Sequence, residues 1–139
     1  MTTQPDIVWV TLDSVRAEHA SMGNYRRDTT PNLQRIANRD AGTYFQHCYA
    51  SGNATPVSSA SILTGTQPSK HGIGSGNDVV PDALPTVPEL LQEAGYRTGC
   101  VSRNSYVSSG TGLDRGFDWF KWISSSSFLQ AVPNRTLLK

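Results

Sequence analysis

Two residues of this 139-residue sequence stand where their side chains could do chemistry. Asp13 follows the apolar run IVWVTL at residues 7–12. A carboxylate at the carboxyl end of a strand is well placed to bind a hard cation, because ligands of open α/β sheets gather there. A lone aspartate more often caps a turn. Thr55 follows the loop SGNA and precedes the helical segment TPVSSASILTG. It reads as the helix N-cap, with Pro56 as the first helical residue. Helix N-termini present free N–H groups that attract oxyanions, and a hydroxyl beside a metal there can act as a nucleophile. An ordinary N-cap threonine is the commoner meaning of the same pattern.

Further polar groups are weaker candidates. Lys70 and His71, in PSKHG, could meet an anionic group, though a loop histidine is more often only solvated. His19 and His47 carry less. Asp114, Arg115 and Asp118, in GLDRGFD, read as a local salt-bridged turn.

These residues need elements to hold them. The β-branched and aromatic run at 7–12 reads as a strand buried on both faces, as in a parallel sheet. TTPNLQRIANRDAG reads as a helix, with Thr30 as cap, Pro31 first and Gly42 last; Leu33, Ile36 and Ala37 make its apolar stripe. Residues 43–50 (TYFQHCYA) read as a second strand. Residues 66–78 (TQPSKHGIGSGND) read as a loop. LPTVPELLQEAG is the clearest helix, with Thr86 and Glu89 at capping-box spacing. Val87, Leu90, Leu91 and Ala94 fall on one face, and Gly95 ends it. YRTGCVS reads as a third strand. The rhythm is that of a layered α/β domain with a mainly parallel sheet, interrupted before enough strands have accumulated.

Composition narrows the function classes. One domain fits the length. Twelve basic and eleven acidic residues give a formal charge of +1, so no basic excess argues for nucleic acid. The N-terminus has neither a basic segment nor a long apolar one, which predicts no signal peptide, no membrane span and a cytoplasmic location. Cys48 and Cys100 form no CxxC pair and read as two buried free thiols.

Taken in order, IVWVTLDSVRAEH, TTPNLQRIA, SILTG, TQPSKHG, LPTVPELLQEAGYRT and GFDWF resemble the N-terminal part of the sulfatase family, within the alkaline phosphatase superfamily. They run from about residue 6 to 122. The resemblance implies an α/β/α sandwich with a mainly parallel, alkaline phosphatase-like sheet, here incomplete, and it makes residues 1–139 the N-terminal portion of a catalytic domain. It implies a hydrolase of sulfate or phosphate esters, on small molecules or glycans, using a divalent ion (Ca, Mg, Mn or Zn). Asp13 becomes a metal ligand, with Ser14 where many sulfatases carry a second aspartate.

Counting back from Leu63-Thr64-Gly65 places Thr55 at the nucleophile position of C-x-P-x-R or S-x-P-x-R, as both nucleophile and metal ligand. Val57 then replaces the signature proline and Ser59 the arginine. Threonine is not a substrate for conversion to formylglycine, so that cofactor is not expected. A threonine nucleophile is similar to that of phosphodiesterases and phosphoglycerol transferases. Where the family carries a G-K-W-H-like motif, this chain has VSRNSYVSS, which makes Arg103 and Asn104 candidate substrate contacts beside His71. The family's later Asp-Asn or Asp-His cluster has no counterpart in the 139 residues. The alternative is a catalytically inactive remnant or binding domain of the same fold. No oligomeric state follows from the sequence.

Overall fold

The computed structural model describes residues 4–124. The chain divides into two compact units that part between Tyr49 and Ala50.

The first unit is built from turns and one helix. Two 3-10 turns, Ala17–His19 and Ser21–Gly23, precede α1, Pro31–Ala37. Pro31 supplies the fixed φ that a first helical residue needs. Thr30 precedes it but caps nothing with its side chain. Its hydroxyl instead accepts the Ser21 N–H at 2.9 Å, while Ser21 Oγ accepts the Thr30 N–H at 2.8 Å and donates to Asp28 at 2.9 Å. This reciprocal pair folds the 21–30 loop back on itself. α1 stops at Ala37, short of Gly42.

Two expectations fail in this unit. Residues 7–12 form no strand, and Val8 is 88% and Trp9 57% exposed. Residues 43–50 form none either, and Phe45 and Tyr49 stand in solvent. A strand is stabilised by neighbours along both edges and over its faces, and no strand occurs in this unit among the described residues. High β-propensity cannot replace those partners. Cys48 is consequently exposed, not buried; Cys100 is half-buried, and both are free.

The second unit contains α2 (Thr55–Thr64), α3 (Pro68–His71), α4 (Val87–Glu93), β1 (Gly99–Ser102) and β2 (Trp119–Trp122). Its core is Ala60, Ile73, Val80 and Leu113, flanked by Val57, Leu63, Leu84 and Val107. α3 lies inside the stretch expected as loop; Pro68 starts it and Gly72, at φ +72°, ends it.

α4 carries the expected capping box: Glu89 N–H reaches Thr86 Oγ1 at 3.4 Å, and Thr86 N–H reaches Glu89 Oε2 at 2.7 Å. Thr86 is fully buried and its hydroxyl also reaches the Arg115 carbonyl at 3.0 Å. The apolar stripe of α4 is only partly covered, since Leu90 is exposed.

β1 and β2 pair in parallel, with Gly99 opposite Trp119 and Ser102 opposite Trp122. The Trp119 indole occupies the space a Cβ on residue 99 would need, so glycine is required there. β1 is the expected third strand, shortened at its start; β2 lies where no strand was expected. Helices with a small parallel sheet make the unit α/β, as its sequence rhythm predicted.

The 114–118 segment does form a turn, with the Phe117 N–H reaching the Asp114 carbonyl at 3.4 Å, but its ion pairing is not local. Arg115 bonds Asp82 at 2.8 Å and the Leu84 carbonyl at 2.7 Å, tying the start of β2 to the turn before α4. Among the described residues no helix is long and apolar enough to cross a membrane.

Candidate functional site

Thr55 is the first residue of α2, and Ala54 takes the N-cap position without a side-chain cap. The helix thus starts one residue earlier than expected, with Pro56 second. Ser58 secures the start. Its hydroxyl donates to the Gly52 carbonyl at 2.8 Å, and its N–H donates to Ala54 at 3.0 Å. Gly52 has to be small, because a Cβ there would stand 2.6 Å from Val57 Cγ1.

The first turn of an α-helix leaves N–H groups without intrahelical partners. Pro56 has none to offer, and that of Ser58 is used. The amides of Thr55 and Val57 remain as open donors, and among the described residues neither they nor the half-buried Thr55 hydroxyl makes a hydrogen bond. Hydroxyl and donors therefore share one corner, which suits an oxyanion. Ser59, at the position of the signature arginine, is buried within the unit and brings no charge there.

His71 is not at that corner. It is fully buried, and both ring nitrogens are occupied: Ile73 N–H lies 3.1 Å from Nδ1, and Ser61 Oγ 2.9 Å from Nε2. In this arrangement it has no nitrogen left for an anion. Nor can it act as base toward Ser61: Nδ1 faces a donor, so the proton of the neutral ring sits on Nε2. Burial pushes its pKa below the ordinary histidine value. Lys70 is exposed.

Arg103 and Asn104 directly follow β1, at the carboxyl end of the sheet. Arg103 is exposed. Asn104 Oδ1 accepts the Tyr106 N–H at 2.9 Å, and its backbone exchanges bonds of 3.1 Å with Ser102 Oγ. Its carboxamide thus already shapes the loop.

In the first unit, Asp13 is exposed in a turn, where Ser14 Oγ approaches Oδ1 at 3.4 Å. Ser14 has φ +58°, a left-handed conformation that costs a non-glycine residue about 1–2 kcal/mol. Among the described residues no group of three or more His, Cys, Asp or Glu side chains could hold a metal. Calcium takes about six to eight oxygens, so the donors present supply part of such a site at most.

The Ser61–His71 pair was not legible in the sequence. Nothing in the spacing of a helix serine and a loop histidine marks them as partners.

The model of the sulfatase family matches residues 5–138. The chain belongs to the sulfatase family. It is 32% identical over 113 residues to an N-acetylglucosamine-6-O-sulfatase of Bacteroides thetaiotaomicron, covering 81% of this chain and 20% of that protein. It is 30% identical to arylsulfatase H of Canis lupus familiaris, covering 96% and 27%, and 30% identical to an arylsulfatase of Clostridium perfringens, covering 72% and 21%. The chain thus spans a fifth to a quarter of these sulfatases' length. No solved structure matches it. The family has the alkaline phosphatase-like α/β fold, and the β1–β2 sheet with its helices is an incomplete form of it.

Proposed function

We propose that this chain is part of the catalytic domain of a hydrolase of sulfate or phosphate esters, in which Thr55 is the nucleophile. The observation that carries the reading is the corner at the start of α2, where an unbonded hydroxyl stands with the open amides of Thr55 and Val57. Thr55 Oγ1 attacks sulfur or phosphorus in line. The departing ester oxygen takes up the Thr55 hydroxyl proton and leaves as the alcohol, and a covalent threonine ester forms. The amides stabilise the charge growing on the non-bridging oxygens. Water then cleaves the threonine ester and restores the hydroxyl.

Asp13 is a proposed ligand for a divalent ion, with the left-handed Ser14 fixing its turn. Such an ion would supply Lewis-acid chemistry. The described residues offer too few donors to hold one, and no step above depends on it. Formylglycine does not fit a threonine, whose β-carbon carries a methyl group. Arg103, past the end of β1, is the proposed cationic contact for the substrate. Asn104 lends it only the donor end of a carboxamide. The named relatives make sulfated amino sugars and aryl sulfates the first substrates to try.

One observation favours a second reading, an inactive chain of the same fold. Ser59 is buried where the family signature has its arginine. The two readings separate on turnover. The protein as its gene encodes it should be assayed for release of sulfate from an aryl sulfate and of alcohol from a phosphodiester. Turnover of either supports the hydrolase and names its ester class. Absence of both, with and without added divalent ions, supports the inactive chain.

A further inference from the structure

Among the described residues of the second unit, the most enclosed titratable side chain is one the proposed chemistry does not use. His71 ends α3 and is fully buried. Its ring bridges two parts of the unit. Nδ1 accepts the Ile73 N–H at 3.1 Å, in the turn after α3; Nε2 donates to Ser61 Oγ at 2.9 Å, on the helix that begins at Thr55. Ser61 is itself buried.

We infer that His71 is a positioning residue: its neutral Nε2–H ring clamps α2 to the Gly72–Ile73 turn, and protonation of the ring opens the clamp. The inference deepens the Thr55 reading, on which its catalytic consequence rests. The clamp itself stands apart from that reading. A proton added at Nδ1 would point at the Ile73 N–H, setting donor against donor. It would also leave a buried cation, and among the described residues no anion is placed to offset it. α2 has no titratable side chain. Lys70 and Asp78, on either side in sequence, are exposed. On α4, Glu89 is committed to Thr86 and Arg115, and Glu93 is exposed.

Burial alone pushes the His71 pKa down, with no charged neighbour contributing. The sign follows from linkage. The unfolded chain takes up the proton near pH 6.5 and the folded unit only below that. The clamp's contribution is therefore full above about pH 6.5 and is lost as the pH falls from there through the folded value.

The test is a pH titration of the protein labelled with ¹⁵N-histidine, followed by two-bond proton–nitrogen correlation. The expected result is the Nε2–H tautomer at pH 7.5, titrating below about 6.5 together with the Ile73 amide signal. A resident Nδ1–H tautomer, or titration at or above the ordinary value, overturns the inference. Two variants divide the clamp. His71→Gln keeps a donor toward Ser61 and cannot titrate, so the acid-side step in melting temperature should vanish. His71→Asn keeps an acceptor toward Ile73 and should also lose that step. Persistence of the step in both variants overturns the inference. Should the variants fail to fold, the titration of the unaltered protein still decides.

Thr55→Ala is expected to leave the tautomer and the titration unchanged, so failure of the nucleophile assignment would be seen separately. In the active protein, the acid limb of kcat should follow the His71 titration and flatten in His71→Gln.

Discussion

Asp118 Oδ2 accepts the Thr98 N–H at 2.7 Å, and the Asp118 N–H returns to the Thr98 carbonyl at 3.0 Å. The Thr98 hydroxyl adds a bond to the Gly116 carbonyl at 2.6 Å. The pair sits one residue before each strand and sets the parallel register in which Gly99 faces Trp119. Parallel strands cannot be joined by a tight turn, so a side-chain lock at their entry does what a hairpin turn does in an antiparallel pair.

That lock should be sensitive to acid. The Thr98 N–H bond is the main cause holding the Asp118 carboxyl below its usual value; burial opposes it, and Gln92, the Thr98 hydroxyl and the Arg97 charge add lesser downward effects. A depressed carboxylate contributes stability above its unfolded value of about 3.9, and the contribution disappears as the pH falls through the folded value. Asp118→Asn should lower the urea midpoint at pH 7 and differ progressively less from the parent below pH 4. A constant difference across that range would contradict the assignment.

Thr86 joins the α4 cap to the Arg115 carbonyl. Thr86→Ala removes both roles at a fully buried position. We expect a loss of about 1–2 kcal/mol in chemical denaturation. Asp82→Ala should change stability far less, because the Asp82 end of its pair with Arg115 is almost entirely in water, where such pairs contribute at most about 1 kcal/mol.

Gly116 takes φ +80°, and a Cβ there would run into the Glu89 backbone at the start of α4. Gly65 takes φ +65° with open space around it. Alanine at 65 should cost about 1 kcal/mol from conformation alone. Alanine at 116 should cost clearly more, since α4 has to shift. Equal melting temperatures for the two variants would show that the approach to Glu89 carries no weight.

What could be read in the sequence was local. The α4 capping box needs only Thr86 and Glu89 three residues apart, and it formed as expected. The prolines that open α1, α2 and α4 act within one turn, as does Gly65 at the end of α2. The misses depend on partners distant in sequence. Residues 7–12 have the composition of a buried strand but pair with no strand among the described residues of their own unit, and Val8 and Trp9 face solvent. The 114–118 segment looked self-contained, yet Arg115 finds Asp82 and Asp118 finds Thr98. At the site, sequence order located Thr55 at a helix start. It could not show that the His71 ring is committed to Ser61 and Ile73, because that pairing follows no helical or strand period.

The most direct measurement is ester hydrolysis by the protein as its gene encodes it, compared with Thr55→Ala and Thr55→Ser. If Thr55 supplies the attacking oxygen, Thr55→Ala should lower kcat by at least about a hundredfold, with folding intact by circular dichroism. Thr55→Ser, which keeps the hydroxyl, should retain measurable turnover. Full activity in Thr55→Ala would contradict the account.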